Sequence, residues 1–164
     1  MKKLLLLGLF VCVAFLSFGQ VEVKAYEAEN EGWLVRMEEA YAESQKTGKP
    51  IMANFTGSDW CGWCRRLTAS VFSKEEFKKW AKDNVILLEL DYPRKKSLPD
   101  DIRSQNAQLQ RAFGVRGFPT VWVFKLEKEP NKEQFNIVGL GKTGYNPSAT
   151  DFIKDVDEMI ARGK

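Results

Sequence analysis

Two short runs constrain this chain more than anything else in it: I-M-A-N-F-T at residues 51–56 and V-I-L-L-E-L-D at residues 85–91. Both are of strand length and almost continuously apolar, the pattern of strands covered on both faces, so helices must pack on the two sides of the sheet they form. The intervening and flanking segments supply them. Gly32 to Lys46 places Trp33, Met37, Ala40 and Tyr41 on one helical face, with Gly48 as a stop. C-G-W-C-R-R-L-T-A-S-V-F opens a helix where the first run ends, Ser73 with Glu76 reads as a capping box for the next, and Pro99 to Ala112 is a further helix closed by Gly114. T-V-W-V-F-K-L and Q-F-N-I-V-G-L read as two more strands joined through Pro130 and Asn131. A last helix from Ser148 to Ala161 buries Phe152, Val156, Met159 and Ile160. The expected class is α/β, a central mixed β-sheet flanked by helices.

The amino terminus belongs to a different category. M-K-K-L-L-L-L-G-L-F-V-C-V-A-F-L-S-F-G has a basic start, an apolar run and small residues at Ser17 and Gly19, which reads as a secretory signal peptide over residues 1–19 rather than a retained anchor. Phe10 and Val11 before Cys12 do not resemble a lipoprotein processing box. Residues 20–31 read as an N-terminal arm in preference to an edge strand, and residues 32–164 as one domain. Removing Lys2 and Lys3 from the 25 basic residues leaves 23 against 22 acidic ones. A surface so balanced lacks the concentrated basic face of a nucleic-acid binder. The charged stretch P-R-K-K-S-L-P-D-D reads as a solvated connection, and Trp33 and Trp80 as core residues.

Three fates are open to Cys61 and Cys64, the only cysteines left after cleavage: a metal site, a structural staple, or exchange with other thiols. Zinc takes about four nitrogen, sulfur or oxygen ligands, and a chain without histidine or a second cysteine pair supplies too few. A staple across two residues closes too small a loop to restrict the unfolded chain much. Redox chemistry is favoured by position, because Cys61 sits where a strand gives way to a helix. The unpaired N–H groups and positive dipole end there stabilise a thiolate, the form that attacks disulfides. Cys64 follows one turn in, placed to resolve a mixed disulfide, and Arg65 and Arg66 add positive charge nearby.

W-C-G-W-C at a strand-to-helix junction, followed some fifty residues on by G-V-R-G-F-P-T-V-W-V-F, resembles the thioredoxin family over about Lys49 to Arg162, and within it the exported bacterial thioredoxin-like or disulfide-isomerase-like branch. The resemblance implies a thioredoxin-like fold and a thiol-disulfide oxidoreductase whose catalytic pair, and redox disulfide, is Cys61 and Cys64. It implies a cis proline at Pro119, and a shallow client-binding surface of Trp60, Gly62, Trp63, Phe118 and Pro119. The partners implied are cysteine-containing client proteins outside the cytoplasm and a redox protein that recycles the pair. No cofactor and no metal are implied, since the cysteines carry the electrons, and a monomer is expected. Two other readings use the same residues: a redox-inert or chaperone-like binding module, and a copper(I) chaperone offering the two thiols. Two positions depart from thioredoxin. Gly62-Trp63 replaces Gly-Pro between the cysteines, and Asn54 stands where thioredoxin has a buried aspartate, so that Asp59 becomes the nearest acid in sequence to Cys61.

Overall fold

The computed structural model describes residues 26–128 and 135–163; the expected signal peptide and the start of the arm lie outside them. In chain order the elements are α1 (Met37–Thr47), β1 (Ile51–Thr56), α2 (Gly62–Leu67) running into a π-helical turn (Thr68–Phe72), α3 (Glu75–Asn84), β2 (Ile86–Asp91), α4 (Asp100–Ala112), β3 (Thr120–Lys128), β4 (Phe135–Thr143) and α5 (Ala149–Arg162). The strands form one mixed sheet in the order β2-β1-β3-β4. β1 pairs parallel with β2 and antiparallel with β3, which pairs antiparallel with β4.

All six residues of β1 are buried, as a central strand covered on both sides requires. Strand alternation sends Ile51, Ala53 and Phe55 to one face, where they meet Leu88, Leu90, Phe113, Phe124 and α1. Met52 points to the other, among Trp33, Phe72, Phe77, Val121, Val123 and the α5 stripe of Phe152, Val156 and Met159. Complete burial of one such side chain contributes about 1.5–3 kcal/mol, so these two layers set the register: a slip by one residue would turn every side chain of β1 to the wrong face.

Three features differ from those the periodicity suggests, two through contacts distant in sequence and one through a competing local turn. The first helix begins at Met37, not Gly32. Leu34 runs extended beside β2 instead, its N–H donating to Leu87 O at 2.9 Å and its carbonyl accepting from Glu89 N at 2.8 Å, which covers an otherwise open sheet edge. Trp33 therefore packs on the Phe72 and Phe77 side while Ala40 packs on the opposite one. The helix start is capped from a distance, Met37 N–H donating to Gln105 Oε1 at 2.8 Å; its end is Gly48, at φ 73°, a conformation that costs glycine little. The capping box is absent. α3 starts at Glu75 with no side-chain cap, because Ser73 ends the preceding π turn by donating its N–H to Thr68 O at 2.8 Å. Finally β4 continues to Thr143, pairing Gly141 to Val123 and Thr143 to Val121. At α5, Ser148 is the N-cap and its hydroxyl accepts from Asp151 N.

Candidate active site

β1 ends at Thr56, and the chain turns through Gly57 to Trp60 before α2 begins. A side chain at Gly57 would collide with the Trp60 indole, since an added Cβ meets the ring at 2.5 Å. The space left by glycine lets Trp60 fold back against its own strand. Trp60 Nε1–H donates to Tyr92 O at 2.8 Å, the Phe118 ring meets it edge-on with centroids 5.8 Å apart, and the Arg94 guanidinium lies 3.7 Å over its face. The loop before the cysteines is thus fixed by the segments after β2 and before β3.

Cys61 is the N-cap of α2, in extended backbone geometry, and its Sγ accepts from Cys64 N at 3.2 Å. The two Cα atoms are 5.3 Å apart and the sulfurs are joined in a disulfide. Both cysteines are buried. On the outer side Trp63 is 52 % exposed and packs, tilted, with its centroid 4.9 Å from that of Tyr145 in the loop after β4, with the Arg66 guanidinium 4.6 Å from its ring. The Phe118–Pro119 peptide bond is cis. Phe118 also packs on Tyr92, centroids 5.0 Å apart, so Phe118 and the adjoining Pro119 reach the residue before Cys61 through the Trp60 ring, while Gly62 and Trp63 open α2.

Beneath the disulfide the sheet face changes character. Asn54, Thr56, Glu89 and Asp91 are all buried, and they follow Met52 and Leu87 on the same face by strand alternation. Asn54 and Glu89 occupy directly paired positions of β1 and β2, as do Thr56 and Asp91. Asp91 accepts from Ser58 N at 2.9 Å, Ser58 Oγ at 2.7 Å and Lys96 Nζ at 3.0 Å. Glu89 accepts from Glu29 N at 2.7 Å, Asn30 N at 3.3 Å and Asn30 Nδ2 at 2.6 Å. Removal from water pushes the Glu89 carboxyl above its ordinary value, with the charge of Asp91 adding to it, although the three N–H donors pull the other way. Tyr26, whose hydroxyl is buried without a hydrogen-bond partner, is raised to about 12 by burial first and by the field of Asp91 next.

Asp59 takes no part in this cluster. Its carboxylate accepts from the backbone N–H groups of Arg94, Lys95 and Lys96. Partial desolvation works against ionisation, but these three donors and the Lys96 charge outweigh it and hold the carboxyl below its usual range. The 93–97 connection is therefore not a merely solvated loop. Lys96 also pairs with Glu29, and although burial alone would lower its ammonium, the hydrogen bonds to Glu29 and Asp91 raise it. Among the described residues no group of three or more His, Cys, Asp or Glu is arranged to hold a metal.

Residue patterns alone pass over Tyr145, Arg94 and Glu89. The first two reach the site across long sequence separations and carry no local signal. Glu89 has one: an acid inside a run expected to be buried on both faces needs a partner or a purpose.

The profile of a thioredoxin-like domain matches residues 37–141. The chain is 39% identical over 85 residues to disulfide bond reductase DsbH of Chlamydia pneumoniae, covering 49% of this chain and 51% of that protein. It is 28% identical over 115 residues to thioredoxin-related protein DsbJ of the same organism, covering 70% of this chain and 32% of the relative. The matches thus span about half of the first relative and a third of the second. A solved structure of DsbH oxidoreductase superposes with a TM-score of 0.68 at 28% identity, covering 82% of this chain and 87% of that one. A thioredoxin from Thermus thermophilus superposes with a TM-score of 0.56 at 18% identity over 80% of this chain and 88% of its own, a likeness of fold.

Proposed function

Because the chain belongs to the thioredoxin-like family, we propose that it is a thiol-disulfide oxidoreductase that exchanges disulfides with cysteine-containing proteins outside the cytoplasm. The observation that carries this reading is the placement of Cys61 as the cap of α2 with Cys64 one turn below it in bonding distance. In the reduced protein the α2 N–H groups that Cys61 caps, Cys64 N–H among them, stabilise a Cys61 thiolate. That thiolate attacks one sulfur of a client disulfide, forms the Cys61–client bond and releases the other client sulfur as thiolate. Cys64 then gives up its proton and attacks Cys61 Sγ. The Cys61–Cys64 bond forms, the Cys61–client bond breaks, and the client leaves with both sulfurs reduced. The likeness to a protein named a disulfide bond reductase supports this reductive direction, with a separate redox protein returning the pair to the dithiol.

Trp63 with Tyr145 on one side, and Gly62, Trp60, Phe118 and Pro119 on the other, form the client-docking rim in this reading. Exposed aromatics bring large contact area at low conformational cost. Residues 1–19 direct export and are removed, residues 20–31 lead into the domain, and residues 32–164 carry the activity.

Reduction of insulin disulfides tests the proposal. The wild-type protein, recycled by dithiothreitol, should accelerate insulin precipitation; Cys61→Ser should be inert, and Cys64→Ser should accumulate mixed disulfides visible on non-reducing gels. A wild-type rate no faster than that of Cys61→Ser would leave a binding module in place of an enzyme.

A further inference from the structure

The family pattern leaves the proton of Cys64 without an acceptor, because the strand position expected to hold an acid carries Asn54. The cluster beneath the disulfide answers this. A cavity of about 240 Å³ has Cys64 and Glu89 among its lining residues, with Glu29, Thr56, Ser58 and Arg65 beside them; of its two carboxylates, Glu29 is exposed and paired with Lys96. A bridging water needs only about 10–15 Å³ and 2–4 polar partners, so the cavity has room to link the Cys64 thiol to the Glu89 carboxylate. Glu89 is 2 % exposed and takes three N–H donors from Glu29 and Asn30, whereas a carboxylate offers about four acceptor sites. One site is left over. The directly paired neighbour on β1, Asn54, has its Oδ1 buried with no hydrogen-bond partner, an acceptor suited to a carboxylic acid O–H once Glu89 has taken a proton.

We propose that Glu89 is the proton acceptor for Cys64 in the resolving step, the buried acid having moved from β1 to the facing position of β2. The inference rests on the oxidoreductase reading above. In the mixed disulfide, the Cys64 S–H proton passes through a water in the cavity to Glu89; the thiolate displaces the client sulfur from Cys61, and the client thiolate takes its proton from solvent. Asp59 is unavailable for this task, since its carboxylate faces the 94–96 backbone. The charges that bear on Glu89 are Asp91 on its own strand, Glu29 and Tyr26 on the N-terminal segment, Lys96 beside Asp91, and Arg65 of α2 across the cavity. Burial, with the charge of Asp91 adding to it, raises its proton affinity above that of an ordinary carboxyl, the direction a proton acceptor for a thiol needs.

The test follows the mixed disulfide of the full domain with insulin by rapid quench across pH. Glu89→Gln should slow resolution at neutral pH by about 10²- to 10⁴-fold, the usual worth of a placed general base, while the first attack by Cys61 keeps its rate. The slowed step should climb tenfold per pH unit toward the unassisted thiol value of about 8.5, and Asn54→Asp added to Glu89→Gln should restore part of the loss. A wild-type resolving rate and pH profile in Glu89→Gln overturns the proposal, as does equal slowing of both steps, which would make Glu89 a fold-holding residue only. Should Glu89→Gln fail to fold, the Glu89 carboxyl is followed by carbon-13 NMR in the oxidised and reduced wild-type protein. A midpoint higher in the reduced form supports coupling to Cys64, and identical midpoints refute it. A wild-type protein that forms no mixed disulfide sinks the oxidoreductase reading instead, and the NMR comparison still decides whether the two groups are coupled.

Discussion

The two faces of the sheet are built to different rules. On one, Ile51, Ala53, Phe55, Leu88, Leu90, Phe124 and Leu126 form an apolar layer from end to end under α1 and Phe113. On the other, the apolar layer of Met52, Val121, Val123 and the α5 stripe stops short of the disulfide, and Asn54, Thr56, Glu89 and Asp91 take over. Burying polar groups costs free energy unless they are partnered, and two acids side by side on one strand are harder still. A fold seeking stability alone would repeat the first face. The polar end of the second lies on the side of Cys64, and on the proposal above its buried groups serve the resolving step.

This contrast breaks most visibly on the apolar face. Phe124→Ala should cost about 3–5 kcal/mol in urea unfolding, because the ring is wholly buried and its removal leaves a cavity. Exchange rate per folded molecule should not change. Next in size, Asp91→Asn should cost about 1.5–3 kcal/mol, the range for charge-assisted hydrogen bonds, through its contacts with Ser58 and Lys96. Unlike the first variant it should also alter the exchange rate, because Ser58 belongs to the loop that ends at Cys61. A stability loss with no change in rate would place Asp91 with the apolar face in function.

Smaller effects sharpen the comparison. Trp63→Ala should raise the insulin KM about tenfold, equivalent to about 1.4 kcal/mol of docking, and move stability by no more than about 0.5 kcal/mol because the ring is on the surface. The smallest signal is in pH. The Glu89 carboxyl is raised in the folded protein, by burial above all, so between its unfolded and folded values the native state holds more protons than the unfolded chain. Stability must fall as pH rises through that window and level off above it. Glu89→Gln should flatten that slope in urea titrations at successive pH values, whatever it does to the absolute stability.

β1, most of β2 and the helix that follows the cysteines can be read from the sequence because burial leaves continuous apolar runs and the reactive pair marks the junction; β3 and β4 are legible by strand-forming residues on either side of a polar turn. Helix starts are less legible. Trp33 fits a helical stripe by spacing, yet Leu34 is held extended by β2, and no local pattern encodes that partner. Ser73 and Glu76 have the spacing of a cap, but Ser73 is taken up by the π turn before it. At the site, the cysteines, Trp63 and the Phe118–Pro119 pair stand out by residue type. Glu89 is obscured by its neighbours: in V-I-L-L-E-L-D the apolar residues dominate, and only the parallel register opposite Asn54 gives the acid its meaning. Tyr145 reaches Trp63 from the far end of the chain, a contact that tertiary structure alone creates.

In the proposed exchange the two thiols divide the labour, and differential alkylation of the reduced protein at mildly acidic pH measures that division directly. Limiting iodoacetamide followed by peptide mass spectrometry should find Cys61 modified first, as the capping thiol that the α2 N–H groups hold ionised, with Cys64 protected on the polar side beneath it. Faster modification of Cys64 would contradict both the assigned roles and the need for an acid at Glu89.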